Sequence, residues 1–236
     1  VQHSGETLRT GSLVDWLRNR VDAARKKRSS HIFIIVLRYL LGFAFLPAGL
    51  KKVFGQPFTD PGKTGAFHEF LHAFHDTGVF YYFVGVTQLL AAFLLLTQRY
   101  ATVGALLLAP TLAAILVFCW STLVIPTATV VTLMAGGTLL LLLWDIERWR
   151  TVFASDDTVT EVAVPGFHPS IQRGVWEGCG LVIILLYVGN TVVTGEVYRP
   201  MGAEWHDPSF WVLNLIALSP FVAAFIDRRL GRGPMQ

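Results

Sequence analysis

The chain has 236 residues, 53% hydrophobic and 15% charged, with a formal net charge of +3. Its mean hydropathy of +0.52 is well to the apolar side of an ordinary water-soluble domain, which excludes a soluble enzyme and requires lipid to solvate much of the surface. The basic residues flank apolar runs and form no aromatic-interleaved groove, which excludes a nucleic-acid partner.

The chain starts with a basic segment. Leu13, Trp16, Leu17 and Val21 recur at helical spacing, with Asp15, Arg18, Arg20 and Asp22 between them and Arg25 to Arg28 following. That pattern predicts an amphipathic helix on a membrane surface, with docking of a soluble partner as the alternative. No cleavable signal peptide is read before the first apolar run, so that run is expected to direct insertion itself.

Six apolar runs come next: Ile32 to Leu50, Val79 to Leu96, Ala101 to Val124, Ala128 to Trp144, Gly178 to Val193 and Phe210 to Phe225. Each is near the roughly 20 residues that a helix needs to cross a bilayer core of about 30 Å. They lack the alternation of barrel strands, so helices that satisfy their own backbone hydrogen bonds are expected. The expected fold class is all-α, a polytopic membrane helix bundle. Pro110 and Pro220 lie within spans, where kinks are expected.

The basic residues are distributed unevenly around these spans. Arg9, Arg18, Arg20, Arg25, Lys26, Lys27 and Arg28 precede the first span, and Arg99, Arg148, Arg150, Arg173, Arg228, Arg229 and Arg232 fall on the same side. The other side keeps Lys51, Lys52, Lys63 and Arg199. The bias predicts that both termini are cytoplasmic, as in a multi-pass protein of a bacterial inner membrane.

Arg38 stands alone inside the first span. A charge there costs at least a few kcal/mol unless it snorkels or finds a partner. The topology offers Asp145 at the end of the fourth span and Glu177 at the start of the fifth, so an ion pair with one of them is expected. Gln88 in the second span, and Asn190 and Asn214 in the last two, need interhelical or ligand partners.

Between the first two spans, His68-Glu69-Phe70-Leu71-His72 matches H-E-x-x-H, the spacing by which two imidazoles one turn apart hold zinc beside a glutamate base. On a helix, however, His68, His72 and His75 line the border between an apolar stripe and a polar one, and a straight helix spreads three such rings along about 10 Å. An interfacial helix is therefore preferred over a zinc site made of His68, His72, His75 and Glu69. Cys119 and Cys179 belong to no C-x-x-C pair, and their positions along the membrane normal differ by about 15 to 20 Å, which excludes a disulfide or thiol relay.

Residues 145 to 173 carry turn signals at Ser155-Asp156-Asp157 and Pro165-Gly166, as expected of a cytoplasmic linker. Thr194 to Ser209, with Tyr198, Pro200, Trp205 and Pro208, reads as an ordered cap on the opposite side.

The first span reads R-x-x-L-G-x-x-F-x-x-x-G-x-x-K from Arg38 to Lys52, and Gly85 to Ala91, Leu94 to Thr97, Arg99 and Ala101 to Leu108 follow. In these residues the chain resembles the DoxX family of small bacterial membrane proteins over residues 31 to 150. Gly42 and Gly49, two turns apart on one face, are read as helix-packing positions. The resemblance implies a four-span DoxX-like core (31–150); around it the residues read as a basic N-terminal segment (1–30), a linker (151–173) and a two-span extension (174–236) that departs from the four-span family pattern. It also implies that Glu69 to Leu71 and Thr77-Gly78 are family features, with His68 and His72 as local substitutions.

Such modules are associated with redox systems, and a related form is similar to a quinone-linked subunit of thiosulfate oxidation. No haem, flavin or iron–sulfur motif is present, so redox chemistry would need a partner or a bound quinone. Arg38, Gln88, Glu177 and Asp145 are the candidate headgroup contacts. A non-catalytic accessory subunit of a larger membrane complex is the main alternative; a small-molecule transporter and a zinc metallopeptidase rank below it.

Overall fold

A computed structural model describes residues 11–148, 166–197 and 205–231 of the chain. The described helices are α1 (Gly11–Arg25), α2 (Arg28–Val53), α3 (Ala66–Asp76), α4 (Val79–Leu96), α5 (Ala101–Ser121), α6 (Ile125–Trp144), α7 (Arg173–Thr194) and α8 (Pro208–Leu230), and the described residues contain no strand. Six of them, α2 and α4 to α8, are long and apolar enough to cross a membrane. The chain is thus an all-α polytopic membrane bundle.

The helices coincide with the apolar runs but extend past them into charged flanks, because Arg28, Lys51 and Arg173 keep helical geometry outside the apolar window. Their ends follow local chemistry. Asp207 caps α8 by accepting from the Ser209 N–H at 2.8 Å, with Pro208 at the first helical position. Gly195 ends α7 in the left-handed region at φ +73°, where a side chain would be strained. The helices continue through Pro47, Pro110 and Pro220.

Two apolar clusters share α2 as a common wall. On one side Ile34, Leu41 and Phe45 pack with Ala92 and Leu95 of α4, Leu108 and Leu112 of α5, and Val131 and Leu141 of α6. On the other, Ile35, Tyr39, Leu46 and Leu50 meet Trp176, Ile183 and Tyr187 of α7 and Ile216 and Ala223 of α8. Leu133, Val117, Phe221 and Val193 are exposed, as suits side chains solvated by lipid.

The start of α2, the end of α8 and the start of α7 are fastened together at one end of the bundle. Arg28 donates to Asp227 Oδ2 at 2.7 Å, and the fully buried Asp227 accepts the Gln172 N–H on Oδ1 at 2.6 Å. At the same end α1 docks through Arg25, which donates to the Trp144 carbonyl and lies 5.6 Å over its ring, while Val21 packs on the first cluster. Trp16 is half exposed. This is the basic end; α3 covers the other. Most of the expected linker, 149–165, and Tyr198 and Pro200 of the expected cap lie outside the described residues.

Candidate functional site

Arg38 is buried at the basic end and finds one of its two expected partners. Its guanidinium donates to Asp145 Oδ2 at 3.0 Å and to Gln98 Oε1 at 3.3 Å. Thr102 donates to the same carboxylate oxygen at 2.9 Å, and Arg148 stands 3.9 Å from the other. Arg38 Nε is buried without a hydrogen-bond partner, beside a cavity of about 20 Å³ lined by His31, Trp144, Asp145 and Phe167 among others. That volume holds about one water.

Glu177 does not join this cluster. It accepts from Arg173 Nε at 2.7 Å, one turn earlier on α7, because an i, i+4 partner on its own helix is nearer than any across the bundle. Asn214 likewise stays on its own helix, donating to the Phe210 carbonyl at 2.8 Å.

Gln88 is separate as well. In the antiparallel pair of α2 and α4, Gly42 lies against Ala92 and Leu96 while Gly49 lies against Gly85 and Leu89. Gln88 is therefore near the Gly49 level, about 12 to 16 Å along α2 from Arg38 at 1.5 Å per residue. Arg38 and Asp145 thus share one place while Gln88 and Glu177 each lie elsewhere, and the four form no single headgroup site.

Both predicted packing glycines sit where the helices touch. A Cβ on Gly42 would meet the Leu96 Cγ at 2.9 Å and the Ala92 carbonyl at 3.2 Å; one on Gly49 would meet Leu89 Cγ at 2.7 Å and the Gly85 carbonyl at 3.0 Å. Gly85 is the reciprocal glycine, its missing Cβ lying 2.6 Å from the Cβ of Lys52.

The histidine helix α3 fastens the preceding loop. His68 Nδ1 is 2.6 Å from Thr59 Oγ1, His72 Nε2 is 3.3 Å from the Lys63 carbonyl, and His75 Nε2 is 3.1 Å from the Gly55 carbonyl. Glu69 turns back to accept the Gly65 N–H at 3.3 Å, which gives the amide of the residue before the helix a partner. Among the described residues no group of three or more His, Cys, Asp or Glu could hold a metal ion. Cys119 and Cys179 are buried, free and in different clusters.

Beneath α3 lies a cavity of about 500 Å³, inside the range of roughly 300 to 1,000 Å³ common to small-molecule sites. Phe70, Leu71 and Phe74 of α3 roof it, Tyr81 and Val84 of α4 and Pro110, Ala114 and Phe118 of α5 wall it, and Lys52 and Gln88 bring polar atoms to it. Gln88 is 2% exposed, and its side-chain oxygen has no hydrogen-bond partner. A buried polar atom left unmatched costs about 1 to 3 kcal/mol, so any hydrogen-bond donor entering the cavity, water included, is stabilised at this atom. Lys52 donates to the Ala48 carbonyl at 3.1 Å and lies 4.4 Å over Phe58.

Sequence reasoning missed Gln98, Thr102, Lys52 and Asp227 as site or fastening residues. Gln98 has φ +60°, an uncommon conformation for a residue with a side chain, and it bridges the Leu95 carbonyl at 2.9 Å to Arg38. The polar run Thr97-Gln98-Arg99 signalled a turn but not this bridge. Lys52 closes the R-x-x-L-G motif, and its position opposite Gly85 was the available signal.

No curated protein and no solved structure matches the chain. Residues 33–120 match the family model described as DoxX, and the matched segment runs from α2 through most of α5 and includes α3 and the walls of the large cavity.

Proposed function

We propose that the protein is a redox-associated membrane component that binds a lipid-soluble quinone in the cavity beneath α3, with the Gln88 carboxamide on a headgroup oxygen. The observation that carries this reading is the buried, unmatched side-chain oxygen of Gln88 in an otherwise aromatic and aliphatic cavity. The unmatched amide oxygen accepts from a quinol hydroxyl, whereas a quinone carbonyl, itself an acceptor, takes its hydrogen bond from the NH2 of the same amide. Phe58, Phe70, Phe74, Tyr81 and Phe118 offer faces and edges to a flat ring. The chain's own Arg38–Asp145 cluster then serves the bundle, not the headgroup. The same reading sets the basic end on the cytoplasmic side of a bacterial inner membrane, since Lys- and Arg-rich flanks are retained there.

The test is titration of the purified protein in lipid nanodiscs with a decyl benzoquinone, read by quenching of tryptophan fluorescence. Saturable quenching is expected, weakened about tenfold by Gln88→Leu, the factor that corresponds to losing one hydrogen bond worth about 1.4 kcal/mol. Quenching that rises linearly with quinone in both proteins is simple partition into lipid and overturns the reading. Constant stoichiometric recovery with another membrane subunit, without quinone binding, would instead establish an accessory role.

A further inference from the structure

We infer that Lys52 selects the charge of the headgroup, so that the cavity prefers a quinonoid ring in its deprotonated, anionic form over the neutral form of the same ring. This rests on the quinone reading of the cavity. It starts from the crossing of α2 and α4. Gly49 and Gly85 let the two backbones approach, and the stem of Lys52 presses on Gly85, where an added Cβ would come within 2.6 Å of the Lys52 Cβ.

A lysine in the last turn of a membrane helix ordinarily extends its ammonium to water. Lys52 is instead 6% exposed, with Nζ 4.4 Å over Phe58 and 5.7 Å over Tyr81, and it lines the cavity together with Gln88. Among the described residues that line the cavity, Lys52 is cationic and none is acidic. Aromatic faces hold a cation weakly when it is near water and more strongly when it is desolvated, so Phe58 and Tyr81 keep the ammonium within the wall. In such low-dielectric surroundings the ammonium, whatever else it contacts, interacts with a charged headgroup in the cavity more strongly than it would in water. Gln88, being neutral, contributes hydrogen bonds to either form of the ring, so the discrimination by charge falls to Lys52.

The experiment uses the full chain in zwitterionic nanodiscs and a matched pair of probes: a 2-hydroxy-3-alkyl-1,4-naphthoquinone, titrated where its hydroxyl is ionised, and its methyl ether. The quantity read is the affinity ratio of the pair in each protein, which cancels the differing lipid partition of the probes when variants are compared. The ratio in favour of the acid is expected to fall at least tenfold on Lys52→Met and to be kept by Lys52→Arg. Gln88→Leu is expected to weaken both probes and leave the ratio in place. Size-exclusion profiles identify a variant that fails to fold, and Lys52→Gln then replaces Lys52→Met.

A ratio unchanged by removal of the Lys52 charge, with saturable binding retained, overturns the role of Lys52 and leaves the quinone reading standing. If neither probe nor the neutral decyl quinone saturates the unaltered protein, both inferences fall.

Discussion

Replacing Asp145 by Asn is the sharpest test of the polar cluster at the basic end. The variant keeps the side-chain shape and an oxygen for Thr102 while removing the charge opposite Arg38. At a separation of 3.0 Å and an effective dielectric of about 20, the attraction between the two charges is about 5.5 kcal/mol. Desolvation of two buried ions, several kcal/mol each, offsets most of it, so the pair is near neutral against an apolar replacement. Removing one member leaves the other buried at full cost, and Asp145→Asn is expected to destabilise by about 3 to 5 kcal/mol. Arg38→Met should cost less, because Asp145 keeps the Thr102 hydroxyl at 2.9 Å and Arg148 at 3.9 Å. The double variant Arg38→Met, Asp145→Leu should return to within about 1 kcal/mol of the parent. Equilibrium unfolding in mixed micelles of rising SDS fraction, followed by circular dichroism, gives all three values. Costs that simply add in a double variant, or a loss below about 1 kcal/mol for Asp145→Asn, would refute the buried pair as the fastening of α2, α4 and α6.

Other outcomes follow from the packing and the loop. Gly49→Ala and Gly85→Ala should each cost about 1 to 3 kcal/mol in the same assay, while Gly136→Ala, whose added Cβ would meet nothing within 4 Å, should be neutral or slightly stabilising. Gly180→Ala should detach α7 from the first four spans, since its Cβ would overlap the Leu96 carbonyl; disulfide trapping between cysteines placed at Leu46 and Ile183 should then fail while the α2–α4 contact survives. His72→Ala should cost under about 1.5 kcal/mol, one neutral hydrogen bond, should speed proteolysis between residues 55 and 65, and should leave a zinc content already far below one equivalent unchanged. Maleimide labelling of single cysteines at Ser30 and Gly231 should require cytoplasmic access, and at Thr64 access from the other face.

The number and order of spans were legible because lipid imposes a length and a composition that few other settings do. Arg38 was legible for the same reason, as a charge where charges are expensive, but its partner was not. Asp145 and Glu177 are both at the basic end, and only the rotation of each helix decides which carboxylate faces α2. Glu177 had Arg173 four residues before it, a local pair that sequence spacing does contain and that outcompetes a distant one. Gln98 depended on a positive φ, which a turn signal does not specify. His68, His72 and His75 are legible as neighbours along one helix, yet the loop atoms they meet at Gly55, Thr59 and Lys63 depend on how residues 54 to 65 fold back. Gln88 was noticed as a polar residue in need of a partner; the cavity that leaves it unmatched arises from three helices and a roof, and no single stretch of sequence encodes it.

The clasp at Asp227 bears on how the last two helices are held. In a bilayer, hydrocarbon chains compete on nearly equal terms with leucine and isoleucine for the flank of α2, so greasy contact alone gives α7 and α8 little reason to stay. Among the described residues, polar links that hold them to the rest of the bundle include Arg28 to Asp227, Tyr39 to the Trp176 carbonyl and Gln56 to the Gly195 carbonyl, while the Gln172 N–H on Asp227 ties the start of α7 to the end of α8. Because one carboxylate receives both the Arg28 guanidinium and the Gln172 N–H, the anchoring of α8 to α2 and the joining of α7 to α8 are coupled through a single side chain.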